Sequence, residues 1–179
     1  MALDTRWEDV DSLLTRTQRT VDETHIKAVQ EIAARRFEFP TTEHPAYRTH
    51  VNVPEVTMSV QVGQEELAPE IVVVEKLKTG ETRLVMTASV AVREQVTEAE
   101  ARRAWARYAA IKGVASYLFV PVGYGAAAKK ICRKAGIKVD GFRTWRTTPR
   151  GFEINDISEP PSPLAPLMPP IVRRLLETP

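Results

Sequence analysis

Pro69-Glu70-Ile71-Val72-Val73-Val74, the turn Lys78-Thr79-Gly80-Glu81 and the apolar return Arg83–Val92 decide the fold. Ile71–Val74 is too short for a helix and β-branched throughout, so it reads as a buried strand. The turn sends the chain back, and Arg83–Val92 becomes its partner strand. On the N-terminal side, Val56, Met58, Val60 and Val62 alternate with Thr57, Ser59 and Gln61. From Tyr47 onward this period of two predicts a strand with one buried face, closed by Gly63. Further upstream, Ile26, Val29, Ile32, Ala33 and Phe37 form one stripe, which predicts a helix from about Asp22 to Phe37, with Pro40 just beyond it. Trp7, Val10, Leu13 and Leu14 predict a short helix before that.

On the C-terminal side, Thr97-Glu98-Ala99-Glu100 matches a capping box, with Thr97 as N-cap. The helix it opens carries Ala101, Ala104, Trp105, Tyr108 and Ala109 on one side and stops at Gly113. Val114–Val120 is a buried strand ended by Pro121, and Ala126–Ala135 a helix with Gly136 at its C-cap. Ile137–Val139 is expected as a short strand, followed by a turn at Asp140-Gly141, a strand Phe142–Thr147, and a return at Phe152-Glu153-Ile154. A strand–helix–strand crossover after a meander predicts an α/β (α+β) fold: a mixed sheet with helices packed on it. The expected organisation is an N-terminal helical extension over 1–21, a core domain over 22–157 and a proline-rich tail over 158–179. Seven of the 13 prolines lie between Pro160 and Pro179, and only Ile171–Leu176 there can make two amphipathic turns.

The 179 residues, 43% hydrophobic and 27% charged, suit one domain with a core rather than a disordered chain. No apolar run approaches the roughly 20 residues of a membrane span, so no membrane partner is expected. Residues 1–25 mix acids and arginines without an apolar block. One cysteine, Cys132, leaves no internal disulfide and reads as a small buried hydrophobe. A soluble protein of a reducing cytoplasm is the expectation.

The net charge of +2 conceals an asymmetry. Ala101–Arg150 holds 12 Lys and Arg against the single acid Asp140, a charge of +11 that leaves −9 for the rest, and it also holds seven of the 12 aromatic residues. A concentrated positive field is what phosphate-backbone binding requires, because each neutralised phosphate releases counterions. Lys129, Lys130, Arg133 and Lys134 share one side of a helix, and Arg102, Arg103 and Arg107 flank the buried stripe of the previous one; Arg143 and Arg146 follow on a strand. The alternative is a set of ordinary solvated faces neutralised by the acidic half. Phe142 and Trp145, three apart on one strand, cannot share a face, so one of them is the candidate for an exposed stacking residue. His25, His44 and His50 have no metal-binding spacing, and His25 stands apart from any cluster. Gly123-Tyr124-Gly125 precedes a helix without the spacing of a nucleotide-binding loop.

The order αβββαβ, with the Pro69-Glu70 strand, the Trp105-x-x-Tyr108 helix, Leu118–Tyr124, Gly136–Val139 and Arg143-Thr144-Trp145, resembles the PD-(D/E)xK nuclease superfamily over roughly residues 22–155. The resemblance implies a restriction-endonuclease-like core, a mixed sheet flanked by helices, in a bacterial protein. It further implies a carboxylate at Glu70 and an acid–x–lysine pair on the next strand, holding Mg²⁺ beside the scissile phosphate. That pair falls on Ser89 and Ala91, which supply neither charge. Glu94 lies on the opposite strand face, and Glu31 on the second helix is the remaining acid that could join Glu70. The reading is therefore a nuclease-fold protein with a degenerate metal site that binds nucleic acid or a protein partner without efficient cleavage. It requires no cofactor; Mg²⁺ at Glu70 belongs to the alternative of a surviving endonuclease. A third reading is a structural subunit that docks a partner or a second copy through its tail.

Overall fold

Residues 22–36 form helix α1, which lays Ala28, Val29, Ile32 and Ala33 against a sheet and is followed at once by the buried Phe37. The structure, a computed structural model, describes residues 22–157. The expected helix around Trp7–Leu14 and the proline-rich tail with Ile171–Leu176 lie outside the described residues. After α1 come β1 (Tyr47–Val51), β2 (Val60–Val62), β3 (Glu65–Leu67), β4 (Ile71–Lys76) and β5 (Thr82–Val90). A continuous helical rod then runs through α2 (Glu98–Glu100), a π-helical stretch (Ala101–Trp105) and α3 (Ala106–Ala109). β6 (Ala115–Pro121), α4 (Gly125–Ala135), β7 (Gly141–Thr148) and β8 (Gly151–Asp156) complete the chain.

The main sheet has six strands in the order β1-β4-β5-β6-β7-β8. β1/β4, β4/β5 and β7/β8 pair antiparallel, whereas β5/β6 and β6/β7 pair parallel. The parallel steps are the ones that need crossovers, and the rod and α4 provide them. The fold is thus mixed α/β, as the sequence predicts. Strand alternation divides the core between the two sheet faces. Ile71, Val73, Val90, Phe119 and Trp145 cluster with α1, while Leu118 and Val120 cluster with Ala104 and Trp105 of the rod and Ala128 and Cys132 of α4. Helices on both faces explain why Ile71–Val74 and Leu118–Val120 are unbroken apolar runs.

Three expectations are corrected. The alternation of Val56–Val62 does not make a core strand: Val56 is 63% exposed, and only Val60–Val62 pairs, with Glu65–Leu67, in a separate small hairpin. The core strand is Tyr47–Val51, and beyond it the chain winds around the buried Asn52. Asn52 Nδ2 donates to the Met58 and Pro69 carbonyls (2.7 and 2.8 Å), and its Oδ1 accepts from the Thr57 and Met58 N–H groups (2.8 and 2.9 Å). A side chain that satisfies four loop backbone groups replaces the ladder that alternation predicted. Ile137–Val139 is not a strand either; Asp140 takes its place beside β6, accepting the Ser116 N–H on Oδ2 (2.7 Å). Finally, Phe142 and Trp145 do face opposite ways, yet neither is the freely exposed ring expected. Trp145 is buried on the α1 side, stacked on Phe152 and donating to the Ala91 carbonyl (3.2 Å); Phe142 packs partly buried on the α4 side. α4 covers only part of the Phe142 ring, and the rest lines a groove.

Candidate functional site

Glu70 stands immediately before β4, held there by the Asn52 N–H donating to its carbonyl (2.9 Å). Continuing the β4/β5 register one step past Ile71↔Ala88 sets it opposite Ser89. By alternation its side chain lies on the rod side of the sheet, at the sheet's end, where α1 also reaches. His25 of α1 donates from Nε2 to the Val90 carbonyl (2.9 Å) and lies 4.0 Å from Glu70 Oε1. Both side chains are 17% exposed, and Glu70 Oε2 is buried without a hydrogen-bond partner. Burial, with Glu100 adding repulsion, pushes the Glu70 carboxyl up to about 7, against the opposing pull of Arg103 and backbone N–H groups. Burial likewise lowers the pKa of His25. Tyr108 of the rod is pushed up to about 12 by burial and by Glu70. The cluster Glu70–His25–Glu100–Arg103–Tyr108 was not legible in the sequence, because His25 gives no sign that it sits over the end of β5.

The cluster lacks the second acid and the lysine that the resemblance asks for. Mg²⁺ takes one or two carboxylates and keeps several waters, so what matters is which acids stand beside Glu70. Ser89 and Ala91 are both buried, and Ala91 packs among Ala101, Ala104 and Trp105, where a lysine side chain has no room. Glu100 is engaged by Arg103 Nη2 (2.7 Å), and Glu31 pairs with Arg35 on α1 (3.0 Å) instead of joining Glu70. Glu94 is exposed on the turn Arg93–Gln95. Among the described residues no three His, Cys, Asp or Glu side chains form a metal-binding group. What remains at Glu70 is a buried carboxyl pushed up to about 7, beside a histidine whose pKa burial lowers.

The cations nominated by the sequence separate into two sets. Arg102 and Lys134 share Glu98, Arg103 takes Glu100, Arg107 takes Glu65, Arg143 takes Asp156 and Arg146 takes Glu153. Arg143 is further built into the sheet, its guanidinium 5.3 Å from the Tyr117 ring and 5.7 Å from that of Phe119. Five carboxylates of the acidic half thus pair with these six, Glu98 serving two of them. Lys129, Lys130 and Arg133 form no ion pair among the described residues, and neither does Lys138 beyond the end of α4. These four line one groove of about 910 Å³ between α4, the 137–140 segment and β7. Its one acid is Asp140, whose Oδ2 is occupied by the Ser116 N–H. Lys129 Nζ lies 5.8 Å from the centre of the Phe142 ring in the same groove.

No family model, curated protein or solved structure matches this chain. Chemistry therefore rests on the two sites themselves. Cys132 reaches the groove wall, but burial pushes its thiol up to about 11, so it is no nucleophile at neutral pH. Gly125, at the start of α4, serves packing: a Cβ there would lie 2.7 Å from Ile157 Cδ1. The groove gathers four cations against the single carboxylate of Asp140, and Glu70 is a buried carboxyl beside His25. Among the described residues no helix is long and apolar enough to cross a membrane.

Proposed function

We propose that this chain is a nucleic-acid-binding protein on a restriction-endonuclease-like core, whose metal site is degenerate so that it holds a phosphate backbone without efficient cleavage. One observation carries the reading: Lys129, Lys130, Arg133 and Lys138 converge without acid partners in the 910 Å³ groove beside α4. A row of cations facing solvent is what phosphate contacts need. The succession α1, β1, β4, β5, rod, β6 supports the αβββαβ core, with the small β2–β3 hairpin as an insertion. Glu70, Ser89 and Ala91 support the loss of catalysis, and a reducing cytoplasm is the setting that goes with this reading.

The test is binding of a fluorescein-labelled oligonucleotide to the full chain at a series of salt concentrations. Three to four phosphate contacts give log K falling against log salt with a slope of about −2 to −3.5. Absence of binding at ~50 mM salt overturns the reading and leaves the protein-partner alternative.

A further inference from the structure

We infer that the groove beside α4 takes a single nucleic-acid strand, with one base stacked on Phe142 in place of the Lys129 ammonium. This rests on the proposed function and specifies its ligand. Phe142 alternates onto the α4 side of β7, where its inner edge packs with the cluster around Leu118 and Ile137. Its remaining surface belongs to the groove, and a cation already lies over the ring at 5.8 Å. An aromatic ring that holds a cation over its face offers the same face to a planar base, and Lys129 is flexible enough to swing to the strand's phosphates. Lys130 and Arg133 are three residues apart on α4, so their stems rise by about 4.5 Å along one side of the helix. Lys138 extends that row beyond the helix end.

The walls decide between one strand and two. Val139 and Ile157 border the same space, so the ring lies within a groove of about 910 Å³ and is not displayed on a convex face. A stacked duplex has no free base face to offer Phe142 and meets only the rim cations. A single strand can place a base inside and its phosphates on the rim. Single-strand sites combine a cationic track with an aromatic platform in this way.

The experiment compares a labelled 12-nucleotide oligo-dT with a duplex of the same length, using the full chain at fixed salt and fluorescence anisotropy. The single strand binds more tightly than the duplex. Phe142→Leu weakens single-strand binding about tenfold and leaves duplex binding and the salt slope unchanged. Phe142→Tyr retains single-strand binding within about twofold, which separates loss of stacking from loss of fold. The inference is overturned if duplex binds as tightly as single strand, or if Phe142→Leu binds oligo-dT like the wild type. Those results leave the proposed function standing, whereas failure of the wild type to bind either oligonucleotide overturns both.

Discussion

Replacing Glu70 by glutamine stabilises the protein, and does so only above mildly acidic pH. Burial raises the Glu70 carboxyl from the ordinary 4.5 to about 7. Below pH 4.5 the group carries its proton in both folded and unfolded chains, so it costs nothing there. Between pH 4.5 and 7 the unfolded carboxyl ionises while the folded one keeps its proton, and stability falls as pH rises. Above pH 7 the cost is complete: at about 1.4 kcal/mol for each pH unit separating the two values, it comes to about 3 kcal/mol. The side chain is only 17% exposed, so solvent screens little of this, and Oε2 gains no hydrogen bond to offset it. Glutamine preserves shape and never ionises. Urea unfolding should therefore show Glu70→Gln more stable than the wild type by about 3 kcal/mol at pH 8 and by less than about 1 kcal/mol at pH 5. His25 is present in both proteins and largely subtracts out. An equal difference at the two pH values, or a less stable variant at pH 8, would refute the account of Glu70 as a desolvated acid with one unpartnered oxygen.

Supercoiled plasmid incubated with Mg²⁺ should show no nicking above background, and Glu70→Ala should behave identically; metal-dependent nicking abolished by Glu70→Ala would restore the endonuclease alternative. Asn52→Ala should destabilise by about 2–4 kcal/mol in urea unfolding, because four backbone groups around the buried Asn52 side chain lose their partner at once. A loss under about 0.5 kcal/mol would show that the 52–58 loop holds Glu70 in place by other means.

The parts of the fold that could be read from the sequence are those where local pattern and burial agree. Ile71–Val74 is covered on both faces, so its unbroken β-branched run is diagnostic. Gly136, at φ 67°, ends α4 where a left-handed residue was expected. Thr97 caps the rod as read, accepting the Glu100 N–H (3.2 Å), although the Glu100 carboxylate turns to Arg103 instead of closing the box. Val56–Val62 misled because an alternating pattern marks a strand only when a neighbour is there to pair, and Asn52 winds that segment into a loop instead. The candidate site was legible in one half. The basic groove follows from cations spaced along α4, but that Lys134 and Arg107 are paired off depends on Glu98 and Glu65, brought in by tertiary contacts that no spacing encodes. The approach of His25 to Glu70 is likewise long-range: 45 residues separate them in the chain, and only the packing of α1 over the end of β5 joins them.

The most direct test of the central claim is the oligonucleotide affinity of Lys130→Glu/Arg133→Glu beside that of Lys76→Glu/Lys78→Glu. Both variants change the net charge equally, the first in the groove and the second on the β4–β5 hairpin. Binding through the groove predicts that the first loses at least about tenfold in affinity and about one to two units of salt slope, while the second stays near the wild type. Equal affinities for the two variants would contradict it.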